Sequence, residues 1–350
     1  MGQPDAMRPV TFLVPDLGHA SHAKQVSLLA PAKKTAGHPV NVFSLAGDGP
    51  FSTPLRSAGI SVEGHRGRRF FDIDDFLLLR RRLAEIRDGS LHVFGLSALR
   101  AAKLAGIGLG PREIVLSLTG REKFGRLDRR WANQVSRVHT PHPFARDQLI
   151  AKGISASLVN VVPPKVNLAP APPDREALCR SIGVPSNVPL LVTAGQMRNS
   201  DLFGALWVFE YIRYPEATAR LVMIGDGPGR EKIESAAQSL APEGSHVVFL
   251  GARQDVPNLL ALADIVILPQ PTGGANVALE AMAAGRAVIA TDSHDFSAII
   301  RHNETGFLVP KGAPYEFARI LYKLMQDPAR REALGKAAAE SLLEQRDFHV

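Results

Sequence analysis

Apolar residues in this 350-residue chain fall into short unbroken runs, separated by stretches in which they recur every three or four positions. Unbroken runs bounded by Gly, Pro or Asp read as strands buried on both faces, and the longer spacing reads as amphipathic helices. Their alternation predicts an α/β class with parallel sheets. In the first half, strands are expected at Val10–Val14, Val40–Leu45, Leu91–Phe94, Ile114–Leu118, Arg137–Thr140 and Ser157–Val162, with a helix over Lys24–Ala36 stopped by Gly37. The second half restarts the pattern at Val188–Thr193, Leu221–Ile224, Val247–Leu250, Ile265–Pro269 and Ala287–Thr291. Helices are expected there over Asp201–Ile212, over Val256–Ala263 and around Leu279–Met282. Between the halves, Val162–Asp174 carries five prolines and no periodicity, the marks of a connector. The expected organisation is a Rossmann-like doubly wound domain over residues 1–165, a linker over 166–186 and a second such domain over 187–350. The two would face a cleft lined by the carboxyl ends of their strands.

Composition narrows this picture. The hydrophobic (45%) and charged (21%) fractions are those of a globular protein. A lone cysteine, Cys179, excludes an intramolecular disulfide and a Cys-based zinc site, and fits a reducing cytoplasmic setting. No signal-peptide pattern opens the chain, and no apolar run approaches the ~18 residues of a membrane span. Residues 1–165 hold 24 Lys and Arg against 13 Asp and Glu, a surplus of +11, whereas 166–350 hold 17 against 21, or −4. The first half therefore suits an anionic partner. Aromatics are few at 6% and no nucleic-acid motif occurs, so no nucleic-acid partner is expected. No GxSxG elbow is present to support hydrolase chemistry.

The candidate chemistry is concentrated between Leu268 and Asp292. A strand runs into Gly273, Gly274 and Ala275, then into a helix carrying Asn276 and Glu280. A glycine loop at a helix N-terminus presents unused N–H groups to an anion such as a diphosphate. Glu280, about one turn further on, is placed to accept sugar hydroxyls; the bland reading is a helical surface glutamate. A ligand with both phosphate and hydroxyls points to a nucleotide-sugar. In the first half, the loop Leu17-Gly18-His19-Ala20 is a candidate phosphate or acceptor loop, or else an ordinary βα turn. His92 is assigned to the same acceptor side, with a structural histidine as its alternative. Asp72-Ile73-Asp74-Asp75 imitates a metal-binding DxD, but helix capping explains it better, and no metal is expected. Arg66, Arg68, Arg69 and Arg80–Arg82 bracket an apolar segment, a pattern that docks on anionic lipid or forms a charged helix face.

GDGPGREKIE (225–234), the segment 247–270, NVALEAMAAGRAVIATD (276–292) and NETGFLVP (303–310) follow one order and spacing. With weaker echoes at 17–30, 36–45 and 91–99, the chain resembles the retaining, GT4-like glycosyltransferases of the GT-B type. The resemblance implies a metal-independent transferase without a cofactor, using a nucleotide-diphospho-sugar as co-substrate and an acceptor that is lipid-linked or anionic. It implies donor contacts at Gly195, Gln196, Arg198, Thr272, Gly273, Gly274, Ala275, Asn276 and Glu280, with Arg253 near the base and Gly18 and Thr119 lining the facing wall. Helix N-termini at Asn276 and Gly195 would hold the diphosphate. The final QRDFHV would begin the family's last helix.

Four positions depart from the family pattern. Of two glutamates separated by seven residues, the second is Glu280 and the first is Thr272. Gln196 replaces an arginine, Asp201 or Leu202 a lysine, and Thr119-Gly120 stands where a histidine faces the sugar. Preorganised donors and cations carry most of the barrier lowering in such a reaction, and losing one costs ~10²–10³ in rate. Arg198, Arg121 or Lys123 are the candidates to restore the charge. The expected function is therefore glycosyl transfer with retention at a cytoplasmic or membrane-peripheral site. The alternative is a catalytically degenerate protein that binds nucleotide or acts as a scaffold.

Overall fold

The computed structural model describes residues 8–18, 20–64, 73–85, 89–106, 113–166, 174–197, 202–240, 246–270 and 273–347. The chain divides into two compact units, Met1–Lys165 and Val166–Val350. The first contains seven strands: β1 (Val10–Val14), β2 (Val40–Ser44), β3 (Ser61–Gly64), β4 (Ser90–Phe94), β5 (Glu113–Ser117), β6 (Arg137–Thr140) and β7 (Val159–Val161). All pair in parallel, in the order β3-β2-β1-β4-β5-β6-β7. The second contains β8 (Leu190–Ala194), β9 (Arg220–Ile224), β10 (Val247–Gly251), β11 (Ile265–Leu268), β12 (Ala287–Thr291) and β13 (Phe307–Val309). These are also parallel, in the order β10-β9-β8-β11-β12-β13. Each unit is thus doubly wound, with a reversal of strand order between β1 and β4 in one and between β8 and β11 in the other.

The unbroken apolar runs form the central strands because helices cover both faces of each sheet. Every residue of β1, β8, β11 and β12 is buried. Odd and even positions of β8 feed different cores: Leu190 and Val192 face one cluster, and Leu191 faces the other. The strands absent from the sequence expectation, β3 and β13, each lie at one edge of a sheet. At four and three residues, with Glu63 and Gly64 in one of them, they carry no run to read.

Two expectations need correction. Residues 174–184 are not connector: Asp174 caps the helix Arg175–Ser181 by accepting from the Glu176 and Ala177 N–H groups at 3.0 and 3.2 Å. That helix buries Cys179 in the core of the second unit, and Arg175 ties it to the Leu262 carbonyl and the Asp264 carboxylate. The last described helix runs continuously over Pro328–Asp347, so Gln345–Asp347 continue it rather than start another. It lies close to β12 because Gly335 has no side chain; a Cβ there would stand 1.9 Å from the Gly285 carbonyl oxygen.

At the carboxyl edge of the second sheet the turns after β8, β9 and β10 are bonded to one another through main chain. Gly195 N–H donates to Ile224, Gly225 N–H to Gly251, Met197 N–H to Asp226 and Gly229 N–H to Met197, all at 2.7–3.0 Å. Gly225 sits at φ +139°, where a Cβ would lie 1.8 Å from the Gly195 carbonyl oxygen. Gly312 also has positive φ (+80°) but open space around it. Gly225→Ala is expected to destabilise the second unit by about 3 kcal/mol or more, roughly 6–12 °C in Tm, against about 1–2 kcal/mol for Gly312→Ala. Thermal unfolding of the two variants checks this, and equal losses would contradict the contact.

Candidate functional site

Open α/β sheets bind ligands outside the carboxyl ends of the strands where their order reverses. In the second unit that point lies between β8 and β11, so the loops after these two strands lie there, described at Gly195–Met197 and at Pro269, Gln270, Gly273 and Gly274. Thr291 at the end of β12 fixes the second loop by donating its hydroxyl to the Pro269 carbonyl at 2.7 Å. Gly273 and Gly274 then turn the chain at φ +77° and +81°, and the helix Ala275–Ala283 starts immediately after. The left-handed turn aims the first helical N–H groups, which have no acceptor inside a helix, at the switch point. Asn276 lies in the first turn and Glu280 one turn on, buried at 8% exposure.

Gln270 is the residue that sequence reading missed here. It is 3% exposed, and its Nε2 would lie 2.6 Å from a Cβ on Gly274 and 4.0 Å from one on Gly195. Its amide therefore fills the volume that two glycines leave open, and it spans both loops. The Gln270 Oε1 is buried without a hydrogen-bond partner. A polar residue closing an otherwise apolar strand just before a glycine pair was the available signal.

The electrostatics of the site are modest. The Gly273 N–H already donates to the Asp295 carboxylate at 3.1 Å, from a residue 22 positions away. Arg253 grips Asp255 with two 2.7 Å bonds, which hold that carboxyl below its usual range. Arg230, beside Gly251, is paired with Glu234 at 2.6 Å and Asp226 at 3.6 Å. Both arginines thus present a neutralised charge. Gln196 is exposed next to Gly195. Gly195–Met197 are not helical, and among the described residues the next helix begins at Phe203. Arg198, Asp201 and Thr272 lie outside the described residues.

The residues expected on the acceptor side are dispersed over the first unit. The Gly18 N–H donates to Asp16 at 2.8 Å, and the same carboxylate faces His22 Nε2 at 3.3 Å. The hydrogen bond from His22 is the main cause that holds the Asp16 carboxyl below its ordinary value. The turn after β1, the candidate phosphate or acceptor loop, therefore carries an Asp–His pair; His19 lies outside the described residues. His92 is in the middle of β4, not at its end, with its ring 5.2 Å from that of Phe12. Thr119 follows β5, and both its N–H and its hydroxyl donate to Glu122 Oε1, at 2.7 and 2.9 Å. The side chains of Asp72, Asp74 and Asp75, and residues Arg66, Arg68 and Arg69, also lie outside the described residues. Among the described residues no three His, Cys, Asp or Glu converge as a metal site, and no helix is long and apolar enough to cross a membrane.

Residues 188–327 match the profile of the family described as "Glycosyl transferases group 1". The second unit is a group 1 glycosyl transferase domain. Among curated relatives, the N-acetyl-alpha-D-glucosaminyl L-malate synthase of Bacillus anthracis is 34% identical over 131 residues, which cover 37% of this chain and 34% of that one. The chain spans about a third of the length of the first curated relatives it matches. Solved structures extend the likeness to both units. A glycosyltransferase from Rickettsia africae superposes with a TM-score of 0.80 at 17% identity, covering 96% of this chain and 94% of that one. Anabaena Alr3699/HepE, solved in complex with UDP and glucose, gives 0.79 at 21%, covering 97% and 95%. At these identities the likeness establishes the fold, the pair of doubly wound α/β units of GT-B glycosyltransferases.

Burial pushes the His92 imidazole down to about 4, with Lys33 and His139 as smaller causes. Its folded value lies below its unfolded one, so it contributes no instability above pH ~6.5, and stability falls as pH drops from there through 4. The loss is on the order of 3 kcal/mol. His92→Gln is expected to flatten the pH dependence of urea unfolding in that window. An unchanged slope would show that His92 does not titrate there.

Proposed function

We propose that the protein transfers a sugar from a nucleotide-diphospho-sugar to an acceptor hydroxyl, with retention and without a metal. The observation that carries this reading is the meeting, at one switch point, of a glycine-turned helix N-terminus and the buried carboxylate of Glu280 one turn along the same helix. The N–H groups of Ala275 and Asn276 would hold the diphosphate, and Glu280 would accept the ribose hydroxyls through charge-assisted bonds. As the glycosidic bond breaks, its electron pair passes to the diphosphate oxygen, which the helix N-terminus stabilises. The acceptor oxygen bonds to the anomeric carbon from the same face, and its proton passes to the departing diphosphate. Anabaena Alr3699/HepE, which shares this fold, is solved in complex with UDP and glucose, and this supports a nucleotide donor.

The first unit, with its surplus of positive charge, would take a lipid-linked or anionic acceptor. Its helix Ile73–Glu85 supports a membrane-peripheral setting in the cytoplasm. Leu77 and Leu78 are exposed beside Arg80 and Arg81, while Leu79 and Leu83 are buried.

A second reading is a nucleotide-binding or scaffold subunit without turnover. It is favoured by the pairing of Arg253 and Arg230 with carboxylates and by Asp295 on the Gly273 amide.

One series of assays separates them. UDP-, GDP- and ADP-sugars are screened by thermal shift, and the best binder is then assayed for hydrolysis and for transfer to lipid-linked acceptors in anionic and neutral vesicles. Transfer, faster on anionic vesicles, is the expected result. Tight binding with no turnover, acceptors supplied, would leave only the second reading, and binding of none would remove both. Glu280→Gln keeps the packing and is expected to weaken the donor by about 10–100-fold.

A further inference from the structure

All four tyrosines of the chain and one of its two tryptophans lie on two neighbouring helices of the second unit. Trp207, Tyr211 and Tyr214 follow an i, i+4, i+7 spacing along and just past the helix Phe203–Arg213. Tyr315 and Tyr322 repeat the seven-residue step on the helix Pro314–Gln326. The two helices are packed together on one face of the sheet, where Leu206, Phe209, Phe317 and Leu321 fill a shared core. The aromatic rows point the other way. Trp207 is 52% exposed, Tyr214 82% and Tyr315 72%, with Tyr211 and Tyr322 near 40%.

We infer that this face pairs with the same face of a second copy of the chain. Exposed aromatics of this size amount to roughly 500–600 Å², at the upper end of the patches a lone soluble protein leaves open. With the flanking side chains they approach the ~800 Å² that each partner of a stable interface contributes. Charge selects the partner. Residues 203–216 and 314–326 carry three cations, Arg213, Arg319 and Lys323, and three anions, Glu210, Glu216 and Glu316. Glu210 and Arg213 already pair at 3.1 Å and Glu316 and Arg319 at 3.7 Å, so this face of zero net charge gives an anionic membrane nothing to grip and brings no like-charge repulsion to a twofold contact around an aromatic centre. Ring geometry excludes a flat stacking platform for sugars: the Tyr211 and Tyr315 rings meet at 51° with centroids 4.8 Å apart. The pair forms a notch that a ring from a facing copy fills. Arg213 lies over Tyr214 at 5.0 Å and orders the rim of the face.

This proposal stands apart from the donor site and is tested without any ligand. The full chain is measured by light scattering over about 1–100 µM, with Trp131→Phe as background so that Trp207 alone reports by fluorescence. The mass is expected to rise from one chain of 37.7 kDa toward two, with a blue shift of the Trp207 emission over the same range. Tyr315→Glu and, separately, Tyr214→Glu should abolish both changes while leaving Tm within a few degrees, because both rings are mostly in solvent. A mass of one chain throughout would overturn the proposal. A dimer that survives both substitutions, or forms with no shift of Trp207, would overturn it equally.

Discussion

Gly225 brings its backbone so close to the Gly195 carbonyl that any side chain would overlap it. That approach is the constraint on which the candidate site of the second unit depends. It lets the turns after β8, β9 and β10 bond to one another in sequence, so the carboxyl edge of the sheet is a connected strip of main chain and not a set of separate loops. The Gln270 amide, lodged between the Gly195 and Gly274 turns, joins the strip to the loop after β11. Helix Ala275–Ala283 is therefore held to this strip through the side chains of Gln270, Thr291 and Asp295, and the position of Glu280 follows from the helix. A ligand there meets a rigid edge, and preorganisation of that kind lowers the cost of binding and of charge build-up.

The same edge is electrostatically restrained. Side chains that carry positive charge near it, Arg230 and Arg253, are spent on neighbouring carboxylates, and one loop amide is spent on Asp295. Stabilisation of a departing diphosphate would fall chiefly on the helix dipole and the N–H groups of its first turn, worth less than a cation in contact. In the first unit Thr119 is engaged by Glu122 through its N–H and its hydroxyl, so it braces a turn. Slow transfer is the consequence if the protein acts as an enzyme.

Much of the fold was legible in the chain because a parallel sheet covered on both faces leaves unbroken apolar runs such as those of β1, β11 and β12. The edge strands β3 and β13 are too short to leave one, and the cap at Asp174 was hidden among prolines. At the site, Gly273, Gly274 and Glu280 were readable because their spacing along one segment is the geometry. Gln270 and Asp295 were not, since their roles come from contacts with glycines on other turns. Asp16 and His22 were overlooked for a similar reason, the glycine between them having drawn the phosphate reading. His92 sits beside Phe12 in the middle of the sheet, where burial rather than chemistry explains it.

If a nucleoside diphosphate binds on the two loops at the β8/β11 switch point, it protects their amides. Hydrogen exchange read segment by segment, with and without the nucleoside diphosphate of the best-binding donor, measures this. Slowed exchange confined to the peptides covering 194–197 and 273–283 is expected. Binding that leaves both segments unprotected, or protects only residues of the first unit, would contradict it.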